Sequence, residues 1–186
     1  QAQSRPGELV RRLNDLLHSV SDLPTQVRIR FRMARLAAES YQPGLDPEPA
    51  MEALRQVLSL DPGHREATWM AAQLWTELGR VREAADLLER HLATQTDPYV
   101  RRKLHLHLGH LHAERLGDSN RARGHFEAVL QEGPHLTAAT ALRALYKDAG
   151  ELKPLLEVQR VLVDAMPDAS SRRALLEEMA PVAEAL

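Results

Sequence analysis

Four histidines crowd one stretch of the chain, His105, His107, His110 and His112, with Glu114 two residues further on. Imidazole and carboxylate at helical spacing could bind a metal or respond to pH. His107 and His110 stand at i, i+3 and His110 and Glu114 at i, i+4, so each pair shares a helix face. His105 and His112, seven apart, share another face and are expected to be half buried. A metal centre needs three or four convergent ligands held by outer partners, and a single helix offers two or three at most. The HExxH arrangement is absent. The cluster is therefore read as polar facing on an apolar scaffold, with no metal and no cofactor assigned. A pH-sensitive surface stays open, since unperturbed imidazole titrates near 6.5.

Other chemistry has no foothold. The chain has no Gly-rich phosphate loop, no GxSxG and no cysteine, which removes thiol catalysis and disulfides together. Glu177-Glu178 and the scattered Glu–Arg pairs read as solvated helix faces. Arg28, Arg30, Arg32 and Arg35 could touch phosphate, yet a formal net charge of −2 gives no electrostatic case for nucleic acid. No apolar run approaches the roughly 18 residues a membrane span requires. Only three lysines stand beside 21 arginines, a skew read as GC-rich bacterial coding bias. No catalytic residue is assigned, and the chain is read as no enzyme.

What must position the histidines is a pair of amphipathic helices over Leu104 to Pro134. Leu104, Leu108 and Leu111, extended by the stem of Arg115, mark the inner stripe of the first. Gly117-Asp118-Ser119-Asn120 stops it and caps the next. Ala122, Phe126, Val129 and Leu130 line the second, which ends at Gly133-Pro134. Gly109 lies mid-helix, where glycine costs about 1 kcal/mol against alanine, so a close approach of the partner helix is expected.

The hairpin recurs. GRVREAADLLERHL carries Gly79, Ala84 and Leu88; GELKPLLEVQRVLVDAMP carries Gly150, Leu152 and Leu155; PAMEALRQVLSLDP carries Ala50, Leu54 and Val57. Pro134 and Pro167 are 33 residues apart, near the period of about 34 of helix-turn-helix repeats. A longer period sets Arg101-Arg102-Lys103-Leu104 71 residues before Arg172-Arg173-Ala174-Leu175, with Asp97 and Asp168 at the same offset. Helices are expected over 8–20, 26–40, 48–60, 64–78, 81–94, 98–116, 119–132, 136–149, 151–166 and 170–186. Residues 1–7 are read as a lead-in and Gln42 to Pro47 as an irregular linker. Pro181 should kink the last helix or end it near Ala180.

These features resemble the tetratricopeptide repeat family. The likeness rests on Leu108-Gly109, the turn glycines Gly79 and Gly150, and the alanines Ala50, Ala84 and Ala122. The closing prolines Pro62, Pro134 and Pro167 and the aromatics Trp75 and Tyr146 add to it. It covers residues 25 to 167. Ala34, Ala72 and Arg143 depart from the glycine of other first helices, and Leu155 from the second-helix alanine. The resemblance implies an all-α, right-handed α-solenoid of about four hairpins with an extra helix at each end. Its parts are 1–24 as lead-in and capping helix, hairpins 25–62, 64–97, 98–134 and 135–167, and 168–186 as a last helix or cap.

The resemblance also implies a non-catalytic interaction module that holds a peptide or helix of a partner protein in a groove lined by first helices. The lining is expected to be Arg28, Phe31, Arg35, Glu66, Trp69, Gln73, Glu77, Leu106, His110, Thr140, Arg143 and Lys147. Trp69 is either an exposed anchor or packing under the first hairpin. The family's Lys/Asn/Arg carboxylate clamp would need different residues at Glu66, Trp69, Gln73, Lys103, Leu106 and His110, so a chaperone's acidic tail is not the expected ligand. Expected partners are another protein, with apolar anchors and some acidic character, and no nucleic acid. Leu175, Leu176, Met179 and Val182 leave the last helix open to self-association. A start without Met and an unfinished last repeat suggest a fragment of a larger bacterial protein. The alternative is a regulatory or sensing segment whose catalytic or DNA-binding domain lies elsewhere, and the compartment stays undecided.

Overall fold

The computed structural model describes residues 4–39 and 46–184. It runs α1 (Ser4–Ser19), α2 (Leu23–Glu39), α3 (Glu48–Leu60), α4 (Arg65–Glu77) and α5 (Val81–Thr94). Then come α6 (Pro98–His110), a π-helical turn (Leu111–Leu116), α7 (Ser119–Gln131), α8 (Leu136–Ala149), α9 (Leu152–Ala165) and α10 (Ala169–Glu184). There is no strand among the described residues. The bounds of α3, α5 and α8 are those the periodicity sets, whereas α1 and α2 begin about one turn early. Pro181 lies inside α10, which continues past Ala180. The lead-in over 1–3, the linker over 42–45 and the end of the last expected helix over 185–186 lie outside the described residues.

The chain divides into two compact units, Gln1–Thr94 and Gln95–Leu186. In the first, α1 packs on α2, α2 on α3, α3 on α4 and α4 on α5. Ala34, Leu54, Val57, Ala71, Ala72, Ala84 and Leu88 are fully buried. Four of these seven end at Cβ, which lets helix axes approach closely while the leucines fill the spaces between. In the second unit α6 and the π turn pack on α7, α7 on α8, α8 on α9 and α9 on α10. Its core joins Ala122, Phe126, Val129, Leu142, Tyr146, Leu155 and Leu162 to Leu175 of α10.

The three first-to-second helix turns after α4, the π turn and α8 are built alike. Gly79, Gly117 and Gly150 have φ of +75°, +67° and +69°, the left-handed region where a side chain would be strained. Beyond each glycine a backbone N–H returns to the first helix: Arg80 to the Trp75 carbonyl at 2.8 Å, Glu151 to Tyr146 at 2.9 Å and Asp118 to His112 at 2.9 Å. The last bond spans one residue more than the others. The surplus is taken up by the π turn, which also rotates the residues after it about the helix axis. Arg115, expected to continue the inner stripe, is therefore exposed.

The long period shows in the caps. The Asp97 carboxylate accepts the Tyr99 N–H at 2.9 Å, and Asp168 accepts the Ser171 N–H at 2.6 Å. The Ser171 backbone bond, helped by the Ser170 hydroxyl, holds Asp168 down from the ordinary 3.8 to about 2.

Candidate interaction grooves

The histidines do not point one way. His105 and His112 turn toward α7, where they meet His125, a residue outside the helix on which the sequence places the cluster. The Nδ1 atoms of His105 and His125 are 3.1 Å apart, and the rings of His112 and His125 stack at 5.5 Å and 15°. His112 is buried and His105 half-buried. Burial, reinforced by the nearby Arg101 charge, lowers the pKa of His105; burial and then His110 lower that of His107. His105, His112 and His125 thus converge between the first helix and α7. His110 faces outward, with Nδ1 2.9 Å from Glu114 Oε1 and its ring edge-on to Phe126 at 5.2 Å.

Each unit has a cavity on its first-helix side. In the first unit, α2 and the start of α4 enclose about 560 Å³. Arg28 and Phe31 line it with Leu23, Leu60, His64 and Glu66. His64 caps α4 by accepting the Ala67 N–H at 3.2 Å and sets its ring 4.4 Å from that of Phe31. In the second unit, α8 and the end of the first helix enclose a further cavity of about 560 Å³. His110, Ala113 and Glu114 form one wall, Thr137, Thr140 and Leu145 the other, and Phe126 the floor. The π turn thus supplies part of this wall. Leu23 and Leu136, each half exposed, stand at the mouths, one to each cavity. Both volumes are of the size that holds a few apolar side chains.

The remaining expected residues, Arg35, Trp69, Gln73, Glu77, Leu106, Arg143 and Lys147, line neither cavity. Trp69 is half-buried, while Trp75, on another face of α4, belongs to the core. Gln73 donates to Glu77 at 3.0 Å, and Arg35 lies 3.5 Å from Glu39. Leu106 is half-buried against the core of the second unit. Arg143 and Lys147 both reach Glu178 of α10 at 3.3 Å. Their positive charge is therefore partly compensated by a residue that periodicity alone puts on a solvated face. Leu23, His64, Leu136 and Leu145 escape the sequence reading, because at the ends and flanks of helices the 3.6-residue period no longer says which side faces the cavity.

A family model described as tetratricopeptide repeat matches residues 46–105. That stretch carries tetratricopeptide repeat sequence. No curated protein matches the sequence. Among solved structures, one of MamA aligns at a TM-score of 0.59 and 17% identity over 88% of this chain and 85% of that one. A second MamA structure aligns at 0.59 and 18% identity over 97% and 95%. At such identity the likeness is one of fold, an all-α solenoid of helical hairpins. In repeat terms, α2, α4, α6 with its π turn, and α8 are first helices, and both cavities open on their side. Tetratricopeptide repeats bind other proteins. Among the described residues no helix is long and apolar enough to cross a membrane.

Proposed function

We propose that the chain is a non-catalytic scaffold that receives an amphipathic helix or extended peptide of a partner protein on its first-helix surfaces. The observation that carries this reading is the pairing of an apolar cavity with a half-exposed leucine in each unit, Leu23 in one and Leu136 in the other. Apolar anchors of the partner would enter the cavities, as in helix-in-groove recognition. Arg28, whose guanidinium donates to the Thr25 hydroxyl at 3.1 Å, favours an acidic residue beside the first anchor. Arg143 and Lys147 contribute less, because Glu178 already faces them. Trp69 supplies a broad half-buried contact on α4. Self-association through α10 rests on Leu176, the exposed member of its apolar set, since Leu175 is buried and Met179 and Val182 pack on the core.

The test starts from partners captured by the full chain and the minimal segment of one that binds. Trp69→Ala and Leu136→Asp should each weaken that segment by about 2 kcal/mol, roughly thirty-fold, with the circular dichroism spectrum unchanged. Normal binding by both variants, together with loss on reversing Arg82 and Asp86 of the exposed α5 face, would place the interface on the second helices and overturn the reading.

A further inference from the structure

On the opposite side of the first unit, between the second helices α3 and α5, a separate cavity of about 390 Å³ is lined mostly by apolar surface. Leu58, Pro62 and Leu87 form its walls, and Trp75 and His91 also line it. These last two are 7% and 2% exposed. The indole Nε1 and both imidazole nitrogens lack a hydrogen-bond partner, and an unpartnered polar atom at that depth is uncommon. Burial holds His91 below its ordinary pKa, opposed by the Pro62 carbonyl, which lies near the ring without reaching hydrogen-bond geometry, so at neutral pH the ring is uncharged and offers one donor and one acceptor.

The rim adds charge. Arg55 is committed to Glu48 at 2.7 Å and Glu52 at 3.5 Å. Arg90 lines the same cavity, is exposed and makes no ion pair among the described residues. The hydroxyls of Ser59 and Thr94 already donate to the carbonyls of Gln56 and His91, so they can only accept. The balance of the site is one uncompensated cation at the mouth, an apolar interior, and unsatisfied ring nitrogens buried behind the wall that Trp75 and His91 help to form.

We infer that this cavity is a binding site for a small organic acid, an aromatic or alicyclic body carrying a single carboxylate. The body would fill the space between Leu58, Pro62 and Leu87, and the carboxylate would pair with Arg90 and accept from the ring N–H groups after a small side-chain shift. Ordered water could satisfy a ring nitrogen, but water gains little in a space of this size walled by apolar groups. A ligand with an apolar body and one acceptor group meets both requirements. The site shares no residue with the first-helix cavities except Pro62 at the α3–α4 turn, and the inference is separate from the groove reading.

The test titrates the full chain with 1-naphthoate and with its neutral analogue 1-naphthalenemethanol, monitored by the indole and imidazole resonances. The Trp75 N–H and His91 ring signals should shift saturably with the acid, with Trp69, identified through Trp69→Phe, unmoved. The alcohol should bind at least ten-fold more weakly. Arg90→Gln should abolish that preference and Arg90→Lys should keep most of it. Equal affinity for acid and alcohol, an unaltered preference in Arg90→Gln, or no saturable shift at millimolar probe would each overturn the assignment. Trp69→Ala should leave the titration unchanged, which separates this site from the groove.

Discussion

Gly109 and Gly124 lie on the two helices of one hairpin and have opposite surroundings. A Cβ at Gly109 would fall 2.6–2.9 Å from three atoms of the Phe126 ring, and Phe126 is fully buried. A Cβ at Gly124 would meet nothing within 4 Å. Replacing a helical glycine by alanine gains about 1 kcal/mol of backbone propensity in either place. At position 109 that gain is set against overpacking of about 1–3 kcal/mol, because the solvent-inaccessible Phe126 ring must shift to admit the methyl group. Gly109→Ala should therefore lower stability in urea denaturation, while Gly124→Ala should raise it by about 0.5–1 kcal/mol. Adding Phe126→Leu to Gly109→Ala should cost less than the two changes summed, which a double-mutant cycle reads directly. An increase in stability from Gly109→Ala as large as that from Gly124→Ala would show that the ring does not confine the position.

At the scale of the element, the π turn is an insertion accommodated without loss of the turn. Gly109 to Gly117 spans eight residues, where Ala72 to Gly79 and Arg143 to Gly150 span seven. The extra residue leaves the glycine turn intact and brings the carbonyl of buried His112 to the place taken by Trp75 and Tyr146 in the other repeats. Deleting exposed Arg115 should thus convert the turn to plain α-helix and keep cooperative melting. Deleting exposed Lys147 from α8, which has no surplus, should disrupt its turn and lower the melting temperature far more. Equal damage from the two deletions would mean that the π turn is not an inserted residue. The spacing is legible in the sequence, yet 98–116 reads as ordinary helix, since nothing in residue type marks a π turn. Helix positions are legible because glycine, proline and the apolar stripe punctuate each one. Contacts between helices are not, because they depend on rotation about each axis. His125 behind His105, and Glu178 against Arg143 and Lys147, are both of this kind. Of the residues that line the two cavities, spacing names Arg28, Phe31, Glu66, His110 and Thr140 and misses the leucines at the helix ends.

At the scale of the molecule, the division into Gln1–Thr94 and Gln95–Leu186 falls in the segment that joins two repeats, not inside a hairpin. Stability in such arrays is approximately a sum of repeat terms and nearest-neighbour interfaces, so a piece made of whole, mutually packed hairpins can fold alone. The second unit has the materials. Its core runs unbroken from Ala122 and Phe126 through Leu142, Tyr146 and Leu162 to Leu175, and α10 covers α9 at its end. Polar links reinforce it: the Tyr146 hydroxyl donates to Glu127 at 2.5 Å and Arg123 pairs with Glu151. Residues 95–186 expressed alone should therefore melt cooperatively and give dispersed amide resonances. A cut placed inside a hairpin, after Gly117, separates Phe126 from Gly109 and α7 from α6. A chain starting at residue 118 should consequently lose cooperativity, although it keeps α8, α9 and α10 whole. Calorimetry on the two truncated chains decides the matter. If 95–186 melts without a cooperative transition while the full chain has one, the second unit does not fold on its own and the boundary at Thr94 marks no independent folding unit.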